Sequence, residues 1–331
     1  MTLPAVGLLG VGKFLPPKVV ANDDFVAMGL DTSDAWITER TGIKERRIAD
    51  ADMATSDLAF EAAKAALAHA GKTAQDIDLI VVATSTPDHP LFPSVACQLQ
   101  DRLGARSVGA FDVSAACSGF NFALSVGTQA IQTGNANTVL VVSADCLSRF
   151  LNWKDRGTCI LFGDGAGAVV LGKVQAGYGI LATELRSEGQ YGSILNVPAG
   201  GSKKRLPDQE DESFIYMDGK AVFKVAVHTV VDTVHSILKT AGLSPDQIQL
   251  LVPHQANVRI IEKIRETLHL SPEQVMVNIA QYGNTSASSI PIALTEAVEA
   301  NRIQDGDLVL TIGFGAGFTC AASIIRWGGF L

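Results

Sequence analysis

The sequence predicts an α/β protein assembled from two related halves, and three observations carry that expectation. The first is an internal repeat: Ala70-Gly-Lys-Thr-Ala-Gln-Asp-Ile-Asp-Leu-Ile-Val81 parallels Ala241-Gly-Leu-Ser-Pro-Asp-Gln-Ile-Gln-Leu-Leu-Val252, 171 positions further on. The second is that the register persists. Phe122-Ala-Leu124 matches Ile292-Ala-Leu294, and the strand-like Val139–Ser143 matches Val309–Gly313, both at an offset of 170. The third is local pattern. Each repeated phrase follows a helical stretch, Asp57–His69 or Ala221–Thr240, that ends at a glycine and passes into a short apolar strand. Strands and helices alternating in this way give sheets covered by helices. One such phrase can recur by chance, but three segments in one register argue for duplication. The halves meet near Lys173–Gly177, dividing the chain into 1–174 and 175–331.

Composition agrees with two packed halves. Of 331 residues, 47% are hydrophobic and only 18% charged, below the roughly one quarter usual for soluble domains. Much apolar surface must therefore lie in a large core or a subunit interface. A net charge of −8 and a pI near 5.3 provide no basic field for nucleic acid or anionic lipid. An acidic partner would need a local basic patch.

Cys97, Cys117, Cys146, Cys159 and Cys320 form an odd set without a CxxC pair or metal-ligand spacing, which suits a reducing compartment. Met1–Val11 is apolar but lacks a basic leader and a small-residue cleavage site, and no run of 18 apolar residues is present. A cytoplasmic protein is expected. The polar stretch Gly200–Ser213 reads as a loop or small cap.

Three residues have the context for chemistry. Cys117 lies where an apolar strand, Val108–Val113, passes through Ser114-Ala-Ala116 into a helix over about Gly119–Thr133. A thiol there meets the positive end of a helix, which favours the nucleophilic thiolate, and its small neighbours leave room for a substrate. A buried, inert cysteine is the plainer alternative, and it is the reading for the other four, placed in strands or helices. His254 follows the strand Leu250-Leu-Val252 and precedes a helix, at a strand end where α/β sites gather. His69, His89, His228, His235 and His269 lie in helices, helix ends or a loop. Asn284 opens the polar run Asn284-Thr-Ser-Ala-Ser-Ser289 before the apolar helix Ile290–Glu299, where a capped turn would suffice to explain it. Yet Ala287 is the repeat partner of Cys117, so this loop corresponds to the nucleophile loop.

Two glycine runs, Gly163-Asp-Gly-Ala-Gly167 and Gly313-Phe-Gly-Ala-Gly317, resemble half of a dinucleotide fingerprint. Each leads into strand-like residues, whereas a pyrophosphate site needs a helix N-terminus. No nucleotide cofactor is expected. An amide of the second run could instead serve an oxyanion.

Taken together, Asp31-Thr-Ser-Asp-Ala-Trp-Ile-Thr-Glu-Arg-Thr-Gly-Ile43, Ala115-Ala-Cys-Ser-Gly119, Asp155-Arg-Gly-Thr158, Phe162-Gly-Asp-Gly-Ala-Gly-Ala168, Pro253-His-Gln-Ala-Asn257, Gly283-Asn-Thr-Ser286 and Gly313-Phe-Gly-Ala-Gly-Phe-Thr319 resemble the β-ketoacyl-acyl carrier protein synthase III family of thiolase-like condensing enzymes. The resemblance implies a layered αβαβα fold with pseudo-twofold symmetry and a homodimer. It implies condensation of an acyl-coenzyme A primer, acetyl in the usual case, with malonyl-acyl carrier protein, and no cofactor or metal. It makes Cys117 the acylated nucleophile, His254 and Asn284 the decarboxylation pair, and the Cys117 and Ala316 amides the oxyanion donors. Trp36, Arg40 and Arg156 become coenzyme A contacts, and Phe92 shapes the acyl pocket across the dimer. Gln255, Ala256, Asn257, Val258 and Arg259 form the carrier-protein segment, with Lys224 and Lys263 completing a basic face. Cys320 departs from the family pattern, which commonly has Trp there.

Two other readings stay open at this stage. A condensing enzyme of a specialised polyketide, alkylquinolone or long-chain ketone pathway shares these motifs. A cysteine hydrolase also uses Cys, His and Asn, although the chain lacks a Cys-Gly-Ser-Cys-Trp context. A hydrolase would turn over acyl-coenzyme A alone, whereas a synthase stalls as the acyl-enzyme.

Overall fold

The structure, a computed structural model, describes residues 3–331. Its two main sheets draw on separate parts of the chain. The first has five strands in the spatial order Val6–Phe14, Gly165–Lys173, Val139–Asp145, Leu79–Ala83 and Gly109–Val113. The second has four, in the order Leu250–Pro253, Leu308–Gly315, Thr319–Arg326 and Gly179–Ser187. Leu79–Ala83 pairs in parallel with both neighbours, and Leu250–Pro253 pairs in parallel with Leu308–Gly315. Read inward from the first and the last strands named, the two sheets repeat one topology. The equivalent of Gly109–Val113 is reduced to a single bridge, Leu251 to Val275.

Five layers result. Helix Thr55–His69 covers the outside of the first sheet, and helix Gly219–Ala241 the outside of the second. Helices Gly119–Gln132 and Ser289–Glu299 lie between the sheets and touch strands of both. Sandwiched helices must be apolar nearly all round. Accordingly Phe120, Ala123, Leu124, Ile131, Ile290, Ala293, Leu294 and Ala297 are buried in one core cluster. This is the αβαβα arrangement expected, and the central layer explains the low charge.

Helix Gly219–Ala241 has one face to bury. Ala226, Val230, Val234 and Ile237 recur every three or four residues and pack on the second sheet. Asp218 caps its start by accepting from the Lys220 and Ala221 amides, and Gly242 ends it at φ 67. The helix is long and apolar enough to cross a membrane by length and composition. Its apolar stripe, however, already lies against the sheet.

One sequence expectation needs adjustment and another holds. Cys146 and Cys159 lie in turns, not in strands or helices, although both are buried. The stretch Gly200–Ser213 is a loop ending in a short 3-10 turn, Glu210–Ser213, with Lys204 bonded to Glu212 at 2.6 Å.

Candidate active site

Cys117 lies in a 3-10 turn, Ala116–Ser118, between strand Gly109–Val113 and helix Gly119–Gln132. Ala116 takes φ 46, a left-handed conformation that few L-residues adopt, and this turns the chain sharply into the helix. The Ser118 hydroxyl donates to the Ala115 carbonyl at 2.8 Å and pins the turn. Gly315 backs the nucleophile from the second sheet. A Cβ at that position would stand 2.6 Å from the Cys117 nitrogen, so only hydrogen fits. The second glycine run thus serves close approach, and neither run opens a helix.

Burial decides the state of the thiol. The helix end favours thiolate, but Cys117 is 8% exposed, and loss of water pushes it up to about 12. The resting group is the neutral thiol. Ser286 lies beside both this thiol and the carboxyl of Asp145, which burial also pushes up. Asp145 Oδ1 accepts from Thr84 Oγ1, the Ser85 amide and Thr86 Oγ1.

His254 extends the ladder of its strand by one bond, its amide donating to the Ile312 carbonyl at 2.8 Å. The ring is buried, edge-on to Phe314 at 5.2 Å, with Nδ1 2.7 Å from Ser289 Oγ. Burial holds its pKa down near 3, so the imidazole is neutral at pH 7. Asn284 is fixed on both sides. Its amide donates to the Leu161 carbonyl at 2.8 Å, and its carbonyl accepts from Gly163 at 3.0 Å. Its side-chain Oδ1 accepts from the Ser286 amide at 2.9 Å, which leaves the NH2 group as the free end.

Cys117, His254 and Asn284 line one cavity with Phe314 and Gly315, and Leu161, Met217 and Phe223 among others form its walls. A second cavity of about 730 Å³ also reaches Cys117 and runs past Pro87–Leu91, Ser286 and Ala316. The sequence-predicted triad and Ala316 therefore converge. Trp36, Arg40 and Arg156 form a separate surface stack, with the guanidinium groups of Arg40 and Arg156 at 4.3 and 4.9 Å from the indole. Asp31 pairs with Arg156 at 2.9 Å. Asn257 Nδ2 donates to the Arg40 carbonyl at 3.0 Å and links the stack to helix Val258–Thr267.

The segment after His254 does not act as one surface. Gln255 is buried, its amide donating to the Pro253 and Met276 carbonyls and accepting from the Asn278 amide. It braces the loop and offers nothing to a carrier protein, because those internal carbonyls need its donors. Ala256, Asn257 and Val258 are half-buried, and Asn257 caps the helix. Arg259, Lys263 and Lys224 are exposed, whereas Arg265 is engaged by Glu262 at 2.7 Å. Ser286, Ser289 and Asp145 are site residues the sequence reading missed. The two serines lay within the polar run already singled out, and Asp145 shows only as a charge ending an apolar strand.

A buried thiol sharing one cavity with a neutral imidazole and an asparagine amide, on a duplicated five-layer fold, defines an acyltransferase of the thiolase-fold condensing class. Residues 111–189 match the family described as 3-Oxoacyl-[acyl-carrier-protein (ACP)] synthase III, and residues 238–327 match its C-terminal part. A relative from Caldanaerobacter subterraneus, beta-ketoacyl-[acyl-carrier-protein] synthase III, is 50% identical over 326 residues, covering 98% of each chain. The solved beta-ketoacyl-[acyl carrier protein] synthase III of Thermus thermophilus has a TM-score of 0.92 and 46% identity, covering 98% of this chain and 99% of its own. The priming beta-ketosynthase of the R1128 polyketide pathway also has a TM-score of 0.92, at 34% identity, covering 99% and 97%. The chain belongs to the β-ketoacyl-[acyl-carrier-protein] synthase III family.

Proposed function

We propose that this chain condenses an acyl-coenzyme A primer, acetyl in the first instance, with malonyl-acyl carrier protein through an acyl-Cys117 intermediate, and so starts fatty-acid synthesis. The observation that carries the reading is the convergence of Cys117, neutral His254 and the Asn284 amide on one cavity. In the first half-reaction the Cys117 sulfur attacks the thioester carbon, and the proton it gives up ends on the departing coenzyme A sulfur. The oxyanion is held by the Cys117 and Ala316 amides, and coenzyme A leaves as the thiol. In the second, malonyl-acyl carrier protein loses carbon dioxide, and the electron pair moves onto its thioester oxygen. His254 Nε2–H and Asn284 Nδ2–H donate to that enolate. The enolate carbon attacks the acyl carbon on Cys117, expels the thiolate and yields the β-ketoacyl product. Every electron pair moves between substrate atoms and Cys117, so the scheme needs neither a metal nor a redox cofactor. The neutral thiol and neutral imidazole disfavour a hydrolase-type ion pair.

Three further parts belong to the reading. Trp36, Arg40 and Arg156 receive coenzyme A, a role suited to an aromatic face flanked by two cations. Arg259, Lys263 and Lys224 meet the acidic carrier protein. Strand Gly109–Val113, with one ladder edge free and Phe111 exposed, pairs with a second copy. Phe92, 80% exposed beside the larger cavity's loop, would then reach the partner's acyl pocket. Free cysteines throughout agree with a cytoplasmic setting. The deciding experiment is acylation mass spectrometry followed by condensation with acetyl-, isobutyryl- and octanoyl-coenzyme A in competition. A single adduct on the Cys117 peptide, chased to β-ketoacyl product by malonyl-acyl carrier protein, supports the reading. Turnover of acyl-coenzyme A without malonyl-acyl carrier protein overturns it.

A further inference from the structure

Ser289 is the first residue of the central helix Ser289–Glu299, and its hydroxyl is buried with 2% exposure. Its Oγ accepts from the Gln255 amide at 3.3 Å and lies 2.7 Å from His254 Nδ1. Two proton arrangements satisfy that short contact. In one, Nδ1 carries hydrogen and donates to Ser289, which leaves Nε2 bare toward the cavity. In the other, the serine hydroxyl donates to a bare Nδ1, and Nε2 carries the hydrogen.

The surroundings choose between them. Several buried threonines on the helices donate to the carbonyl four residues back, as Thr128 does to Leu124, Thr233 to Thr229 and Thr295 to Pro291, although the buried Ser143 and Ser288 hydroxyls have no partner among the described residues. Ser289 makes no such bond among the described residues, so Nδ1 is the acceptor available to its hydrogen. The first arrangement would leave a buried hydroxyl hydrogen without a partner, which is the costly option. The Gln255 brace also has a purpose in this light. Its backbone amide occupies one lone pair of Ser289 Oγ, while its side chain is fixed by Pro253, Met276 and Asn278.

We propose that Ser289 is a positioning residue that sets His254 in the Nε2–H tautomer, so that the imidazole faces the Cys117 cavity as a hydrogen-bond donor and not as a base. The proposal rests on the donor role assigned to His254 above. It implies that the Cys117 proton is not taken by a bare Nε2 in the resting enzyme. Phe314, edge-on to the ring, fixes the plane, and Ser289 selects which nitrogen carries hydrogen.

The test begins with the intact protein labelled with 15N-histidine. His254 should show a protonated Nε2 and an unprotonated Nδ1 at pH 7, and a protonated Nδ1 overturns the proposal without any variant. Ser289→Ala should keep acetyl transfer to Cys117 within about twofold. It should lower carbon dioxide release from malonyl-acyl carrier protein by roughly 10- to 100-fold, taking the loss seen when partners that orient metal-bound histidines are removed as the scale. Its histidine spectrum should shift toward mixed tautomers. Ser289→Thr, which retains the hydroxyl, should restore both the tautomer and most of the rate. Equal loss of acylation and decarboxylation in a folded Ser289→Ala protein overturns the proposal. If His254→Ala itself leaves decarboxylation intact, the donor reading of His254 fails, which is a different result from a silent Ser289→Ala.

Discussion

Ala116 and Ser286, 170 residues apart, hold the same left-handed backbone, at φ 46 and φ 55. Each opens a 3-10 turn that leads into one of the two central helices. The helix starts converge: a Cβ on Gly119 would lie 3.5 Å from Ala287 Cβ. A left-handed L-residue costs of order 1–3 kcal/mol, and such strain collects at functional sites. Here it brings the nucleophile and the Asn284 loop to one point from opposite halves.

Gly315→Ala should disable the nucleophile without touching it chemically. The added methyl falls 2.6 Å from the Cys117 nitrogen and 2.9 Å from its Cβ, both in the tight turn. Overpacking of this kind costs about 1–3 kcal/mol. Thermal unfolding should show that loss, and mass spectrometry should show acetylation of Cys117 much slowed. Unchanged acylation would mean the strand end moves freely.

With its pKa pushed up to about 12, free Cys117 should resist iodoacetamide at neutral pH and react progressively faster as pH rises into the alkaline range. Exposed Cys97 should be labelled first. Peptide mapping of the alkylated protein checks the order. Rapid labelling of Cys117 at pH 7 would show a thiolate already present.

Asn284→Ala should retain acetyl transfer to Cys117 while decarboxylation falls by about 10²–10³, the cost of one aimed donor. His254→Ala should behave alike, with at most a modest loss of acylation. Single-turnover acylation beside carbon dioxide release separates the two half-reactions. Severe loss of both in either variant would restore a joint Cys–His nucleophile.

His254 should also make the fold acid-sensitive. Its folded pKa near 3 lies below the ordinary 6.5, so the unfolded chain binds a proton that the folded one refuses. Stability is full above pH 6.5 and falls as pH drops toward 3, by about 1.4 kcal/mol per unit. Denaturant melts at pH 7, 6 and 5 should show this slope in the native protein and a shallower one in His254→Asn.

Charge reversal at Arg259 should raise KM for malonyl-acyl carrier protein several-fold and leave acetyl-coenzyme A exchange unchanged. Arg259 is exposed, and its part in the helix cap is its backbone amide, which donates to Asn257 Oδ1 whatever the side chain, so charge reversal should not disturb the helix. Steady-state kinetics with each substrate varied separately decides this. Equal effects on both would indicate misfolding.

Much of this protein was legible without coordinates. The repeat of about 170 residues, the two strand-to-helix junctions at Cys117 and His254, and the strand-following glycine runs are local patterns, because hydrophobic period and glycine placement act over a few residues. They sufficed for a duplicated α/β fold and for singling out Cys117, His254 and Asn284, whereas the five-layer arrangement and the roles of those three residues rested on the resemblance to a known family. Only the tertiary structure decided how those groups are charged and aimed. Burial, which depends on residues far apart in sequence, turns Cys117 into a neutral thiol despite its helix end and keeps His254 neutral. Gln255 reads as surface beside a catalytic histidine, yet it braces the loop from within because Met276 and Asn278 arrive from another segment. Ser289 reads as one more polar residue before a helix, and becomes the partner of His254 when the end of strand Leu250–Pro253 and the start of helix Ser289–Glu299 pack together, 35 residues apart in sequence. Local pattern specifies elements and their ends. Desolvation and hydrogen-bond partners belong to the packed whole.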